Sequence, residues 1–198
     1  MKRQYRLGKR AQTQAETRRR IVEATVALHQ QVGPAATRVA EIARRAGVQR
    51  QTVYKHFPAD AELFAACSTH WRTLHPMPDP QRWAAYDDRG ERLRMGLAET
   101  YAWYRETRSM TAKVLRDARA MPSLQQIIAN GLLTYLDHLA ALLVEPLKLD
   151  GRPADRARLA ARAAIDFDFW QLLERLGDEE AARLGTGLVE FAARPSAR

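Results

Sequence analysis

The sequence predicts an all-α protein: a small three-helix lobe at the N-terminus followed by a longer helical body. Three observations carry this. Apolar residues recur at helical spacing along the chain, and no convincing alternating strand pattern is found. Glycine and proline punctuate that periodicity at intervals suited to helix ends. The charge is one-sided: residues 1–60 hold 13 of the 32 Lys/Arg and 4 of the 23 Asp/Glu, leaving 19 of each for the rest. The net +9 therefore sits in the first third, as a basic lobe on a neutral body, which points to a polyanionic partner.

In the first helix, "TQAETRRRIVEATVALHQQVG", Ile21, Thr25, Leu28 and Val32 share a face with Val22 beside them, and Gly33-Pro34 ends it. Thr37 is expected to cap a short second helix, "RVAEIARRA", that buries Val39, Ile42, Ala43 and Ala46 and closes at Gly47. A third, roughly Gln49 to His56, buries Val53 and Phe57. Asp60 is expected to cap a fourth that runs to about His75, where "HPMPDP" breaks the chain. Further helices are expected near 89–106, 109–119, 123–145, 153–176 and 178–193. The domain boundaries expected are a basic flexible arm at 1–14, a head at 15–58 and a body at 59–198.

Composition excludes several classes. With 46% hydrophobic and 28% charged residues the chain is globular and large enough for a real core. One cysteine, Cys67, forms no internal disulfide and fits a reducing cytoplasm. No window approaches the roughly 18 apolar residues of a membrane span. The five histidines are scattered, with no H-E-x-x-H, no Cys-x-x-Cys, no glycine-rich phosphate loop and no G-x-S-x-G elbow. Neither an enzyme nor a metal or cofactor site is expected.

Two short helices joined at a glycine turn inside a basic lobe define a helix-turn-helix, whose second helix enters the DNA major groove with its first residues at base edges. Those residues are Gln49, Arg50, Gln51 and Thr52; arginine pairs bidentately with guanine and glutamine with adenine. Tyr54, Lys55 and His56 follow as phosphate-directed donors, with Thr37, Arg38, Arg44 and Arg45 flanking the motif.

The stretch "RRRIVEATVALHQQVGPAATRVAEIARRAGVQRQTVYKHF" resembles the DNA-binding head of TetR-type transcriptional regulators, over roughly residues 15–64. The resemblance rests on Ile21, Leu28, Gly33, Thr37, Ile42-Ala43, Ala46-Gly47-Val48, Thr52-Val53-Tyr54 and His56-Phe57. It implies an effector-binding helical body and a homodimer on double-stranded DNA with a palindromic operator. It also implies that Tyr54 and His56 lie along the DNA backbone and that Thr37 binds phosphate. The chain departs from the family at Gln49 and Gln51, where smaller residues are usual, and at Asp60, near which a lysine is usual. An aspartate there repels phosphate. The basic arm at Lys2, Arg3, Arg6, Lys9 and Arg10 either compensates on DNA or only solubilises.

For the body, a small-molecule effector pocket is expected from Trp103, Met110, Asp166, Phe167 and Trp170, with Arg119 as a polar contact. The competing reading is plain core, with Asp166 paired to Arg162. A dimer interface is expected from Ile165, Phe169, Leu172, Leu173 and Leu176 with Leu184, Leu188 and Phe191; the same stripes also suit burial within one subunit. The function expected is a dimeric repressor released by an effector. The alternative is a ligand-independent DNA-binding protein whose body serves only dimerisation or partner binding.

Overall fold

A computed structural model describes residues 2–194, with side chains for all of these except 2–10 and 84. Ten α-helices follow in order: α1 Lys2–Val32, α2 Val39–Ala46, α3 Arg50–His56, α4 Asp60–Leu74, α5 Arg89–Ala118, α6 Pro122–Ile128, α7 Thr134–Val144, α8 Gly151–Ala164, α9 Phe167–Leu173 and α10 Asp178–Ala193. No strand occurs among the described residues.

The chain forms two compact units, Met1–His75 with Ser109–Ile128, and Pro76–Arg108 with Ala129–Arg198. This division differs from a cut after residue 58. The cause is a shared core: Leu63 and Cys67 of α4 and Met110 of α5 bury with Ile21, Leu28, Ile42, Val53 and Phe57. In the second unit Trp83, Leu93, Leu97, Tyr101, Tyr104, Leu139, Ile165, Trp170 and Val189 are fully or almost fully buried. There α8 packs on α10, and both helices bury small residues, Ala157, Ala161 and Ala164 on α8 and Ala181 and Ala182 on α10.

Several boundaries fall elsewhere than expected. Helix α1 begins at Lys2, so the segment expected as a flexible arm is helical backbone; residues 2–14 hold no proline and are mostly good helix formers. The helices expected at 89–106 and 109–119 are one, because no glycine or proline intervenes between them. The 123–145 helix is divided by a π turn, Ala129–Leu133, where Asn130-Gly131 is poorly helix-forming and Thr134 Oγ1 donates to the Ala129 carbonyl (2.9 Å).

The 153–176 helix breaks between Ile165 and Asp166. Asp166 turns extended (ψ 142°) and its carboxylate accepts the Asp168 N–H (3.0 Å), starting α9. The carbonyls freed at the end of α8 accept from two tyrosines of α5: Tyr101 Oη reaches Ala164 O at 2.6 Å and Tyr104 Oη reaches Ile165 O at 2.7 Å.

The run Pro122–Leu147 has the length and mean hydropathy (1.6 over 18 residues) of a membrane span, contrary to expectation. The π turn interrupts it, and Asp137, His138 and Glu145 are exposed along it.

Candidate DNA-binding interface

The interface is built around a left-handed residue. Gly47 ends α2 at φ 65°, ψ 40°, a conformation that costs a side-chain-bearing residue roughly 1–2 kcal/mol. Its N–H reaches the Arg44 carbonyl (3.3 Å) and the Val48 N–H reaches the Ala43 carbonyl (3.0 Å), which closes α2 and turns the chain. Gln49 is extended, and its carbonyl accepts the Thr52 N–H (2.9 Å) to open α3. Gln49, Arg50 and Gln51 are exposed at the start of α3, and Thr52 is half-buried. Val53 and Phe57 anchor the helix in the core, while Tyr54 (56% exposed) and Lys55 face outward and His56 is half-buried. Partial burial and the charges of Arg18 and Lys55 hold the His56 imidazole below its ordinary pKa.

Two expected caps differ. Arg38, not Thr37, is the N-cap of α2, and the Thr37 hydroxyl donates to the Gly33 carbonyl (2.8 Å). Gly33-Pro34 leaves Thr37 in the turn closed by the Thr37 N–H on the Pro34 carbonyl (3.1 Å), one residue short of the helix. Ala59 is the N-cap of α4 and makes no side-chain bond, so Asp60 is the first helical residue rather than its cap. Its negative charge still complements the helix dipole.

Several arginines of the basic lobe are engaged within the protein. Arg18 Nη1 donates to the His56 carbonyl (2.8 Å) with its guanidinium carbon 4.0 Å from the Phe57 ring centroid. Arg20 Nη1 donates to the Ala46 carbonyl (3.0 Å). Arg19 pairs with Glu16 and Glu23, both at 2.7 Å. Arg44 pairs with Glu41, and Arg45 Nη1 donates to Gln31 Oε1 (2.8 Å). Among the described residues, Arg38, Arg50 and Lys55 have neither an ion pair nor a side-chain hydrogen bond. The surface left for a polyanion is therefore narrower than the count of arginines suggests. Nothing in the sequence signals the contacts of Arg18 and Arg20, whose partners lie 38 and 26 residues away.

Behind the motif, the loop after α1 is tied to the last turns of α5. Asp117 accepts the Ala35 N–H (2.9 Å) and Arg116 Nε (2.7 Å), and Lys113 Nζ donates to the Gln30 carbonyl (2.6 Å). Gly33, at φ 89°, belongs to this join: a Cβ there would stand 2.6 Å from Asp117 Oδ2. Burial alone would raise the Asp117 pKa, but Arg116 and the Ala35 N–H hold it below its ordinary value. His29 is buried, and desolvation pushes its pKa down to about 4 against a smaller opposite pull from Asp117.

In the second unit the aromatic residues gather around Tyr104, which the expected pocket set omits. Its ring centroid lies 5.2 Å from Phe167, 5.6 Å from Trp170 and 5.3 Å from Trp103. The indole N–H of Trp170, fully buried, has no acceptor among the described residues. Met110 does not join this group, since its side chain fills the core of the first unit. Arg119 is exposed just beyond the end of α5. Asp166 caps α9 and accepts from Arg162 Nη1 (3.1 Å). A surface cleft of about 330 Å³, lined by residues including His138, Leu142, Lys148 and Arg158, contains none of the six expected pocket residues.

Of the expected interface residues, Leu172 (80% exposed), Leu176, Leu184, Leu188 and Phe191 (69% exposed) lie open, joined by Leu159 of α8. Phe169 and Leu173 are half-buried. Ile165 leaves the set: it is fully buried at the α8–α9 break, where its carbonyl holds Tyr104.

A short, outward-facing second helix after a glycine turn, on a three-helix core, defines a helix-turn-helix DNA-binding lobe. Residues 21–67 match the sequence model of bacterial regulatory proteins of the tetR family. Two solved structures are similar over nearly their whole length. One, from Mesorhizobium loti MAFF303099 and described as a TetR-family transcriptional regulator, is 22% identical over 90% of this chain and 96% of its own, with a TM-score of 0.63. The other, a transcriptional regulator from Rhodococcus sp. RHA1, is 24% identical over 90% and 99%, with a TM-score of 0.60. RolR, solved in complex with resorcinol, is 18% identical over 95% and 98%, with a TM-score of 0.54. These likenesses concern the fold. No curated protein sequence matches the chain significantly.

Proposed function

We propose that this chain is a cytoplasmic repressor that binds a palindromic operator as a homodimer and leaves it when a small molecule occupies the body. The observation that carries the DNA-binding part is the division of α3. Val53 and Phe57 are buried, while Gln49, Arg50, Gln51, Tyr54 and Lys55 are exposed at the base-reading end and flank of the motif. Arg50 and the two glutamines read base edges; Tyr54, Lys55 and Arg38 hold phosphates, and the Thr37 hydroxyl joins them by turning its one proton from the Gly33 carbonyl to a phosphate oxygen.

The dimer is supported by the apolar side chains left open on α9 and α10, Leu172, Leu176, Leu184, Leu188 and Phe191. Exposed apolar side chains mark an association site on soluble proteins where they join in one patch. Two copies would then present their recognition helices about 34–36 Å apart, or a multiple of that. The effector is a small aromatic molecule with a hydrogen-bond acceptor. Trp103, Tyr104, Phe167 and Trp170 offer ring surfaces, and the Trp170 N–H lacks an acceptor. RolR, similar in fold, binds resorcinol. An effector releases DNA only through unequal affinity for the bound and free states.

The test begins with selection of duplexes from a randomised pool by the full chain. Enrichment of one inverted-repeat sequence, protected by a dimer in light scattering, supports the reading; no enrichment sinks it. A panel of phenols and aromatic acids is then screened for release, with Trp170→Phe expected to lose the response while retaining DNA binding.

A further inference from the structure

We infer that Arg18, on α1, is a positioning residue for sequence recognition: it fixes the far end of the recognition helix and so sets where Arg50 and the two glutamines point. The inference rests on the DNA-binding reading above, which the experiment below tests separately.

Helix α3 has seven residues, too few to hold its shape or direction alone. Its length is about 10 Å, and its last carbonyls have no partner within the helix. Its C-cap, Phe57, is not left-handed (φ −140°, ψ 80°), so no glycine turn of the kind that closes α2 satisfies them. Arg18 supplies the partner. Its Nη1 donates to the His56 carbonyl at 2.8 Å, and the plane of the same guanidinium lies near the Phe57 ring, 4.0 Å from the centroid. One contact sets the height of the helix end and the other its rotation. A cation at this end also complements the helix dipole.

Arg20 performs the matching task on α2, donating to the Ala46 carbonyl at 3.0 Å beside the Gly47 turn. The two helices of the motif are thus tied at their C-terminal ends to α1 by arginines two positions apart. Arg19 lies between them and pairs only with Glu16 and Glu23 of its own helix, which makes it an internal control.

A direct phosphate contact by Arg18 is the competing explanation, since the side chain is exposed. The two differ in what they change. A phosphate contact strengthens binding to all sequences and contributes about one to the slope of log affinity against log salt. A positioning contact changes discrimination and leaves that slope nearly unaltered. A lysine keeps the charge but cannot both donate to the carbonyl and lay a planar group against the ring.

Full-length wild-type protein first selects a duplex from a randomised pool. Failure to enrich any duplex overturns the regulator reading and, with it, the premise of this one. On the selected duplex and a scrambled one, dissociation constants are then measured over a range of salt for wild type, Arg18→Ala, Arg18→Lys and Arg19→Ala. The expected result is a fall of about tenfold in the selected-to-scrambled ratio for both Arg18 variants. Their salt slope should stay within about half a unit of wild type, and Arg19→Ala should behave as wild type. Equal weakening on both duplexes, a slope reduced by about one, or full rescue by lysine overturns the inference in favour of a phosphate contact. An unchanged ratio overturns it outright. Should Arg18→Ala not fold by circular dichroism, Arg18→Lys decides alone: lost discrimination upholds the inference and retained discrimination overturns it.

Discussion

The recognition helix and the aromatic cluster of the second unit treat polar groups in opposite ways. On α3, Arg50 and Lys55 face outward with no partner among the described residues, and burial falls to Val53 and Phe57. Around Tyr104 the hydroxyls of Tyr101 and Tyr104 are bound to carbonyls at the end of α8, and the rings of Tyr101, Tyr104, Phe167 and Trp170 are buried. One region keeps its chemistry available for a partner; the other uses it to hold a helix break, leaving the Trp170 N–H unmatched. An unsatisfied buried donor costs about 1–3 kcal/mol, so its presence in an otherwise satisfied cluster is informative.

The contrast can be broken first at its buried side. Trp170→Ala removes a fully enclosed indole and should destabilise the chain by about 3–5 kcal/mol in urea titration. A loss below about 1 kcal/mol would mean the cluster is loose and the contrast false. On the exposed side, Arg50→Ala should leave stability alone and cost about 1–3 kcal/mol of discrimination at one operator position, read by competition among single-base variants. Uniform weakening across all variants would assign Arg50 to the backbone instead.

His29 tests the join behind the motif. Its folded pKa, about 4, lies below the unfolded value near 6.5, so the unfolded chain takes up the proton first and stability falls as pH drops from 6.5 towards 4. Between pH 7 and pH 5 the loss from this group is on the order of 2 kcal/mol. Unfolding midpoints of wild type and His29→Gln at the two pH values measure it. An equal pH dependence in both would remove His29 as its source. The smallest change expected is Asp60→Lys, which restores a cation where α4 begins. It should tighten DNA binding a few-fold and steepen the salt slope by about one. No change in slope would place the start of α4 away from the phosphates.

Legibility followed the range of the interactions. The glycine turn, the buried Val53–Phe57 seam and the exposed start of α3 are set by neighbours within a few residues, and periodicity and turn chemistry report them directly. The α8–α9 break is not legible in the sequence because its determinants are remote. The apolar spacing runs unbroken through Ile165-Asp166-Phe167, and the break is held by tyrosines 61 and 63 residues earlier in the chain. Ile165 reads as an interface residue for the same reason: a stripe identifies an apolar face without saying what covers it. Met110 shows the limit for sites, since it follows Trp103 and Tyr104 by less than two turns yet buries in the same core as Ile21 and Val53.

By itself, then, the sequence determined the helical class, the helix-turn-helix and which residues of α3 face outward. Those depend on local backbone preferences and on a period of 3.6 residues, both written within a few turns of chain. Only the tertiary structure decided which arginines remain available. Arg18 and Arg20 look like surface charges until their partners, 38 and 26 residues away, are brought beside them. A long cationic side chain has no preferred destination of its own, and the carbonyl it finds is set by how the helices pack.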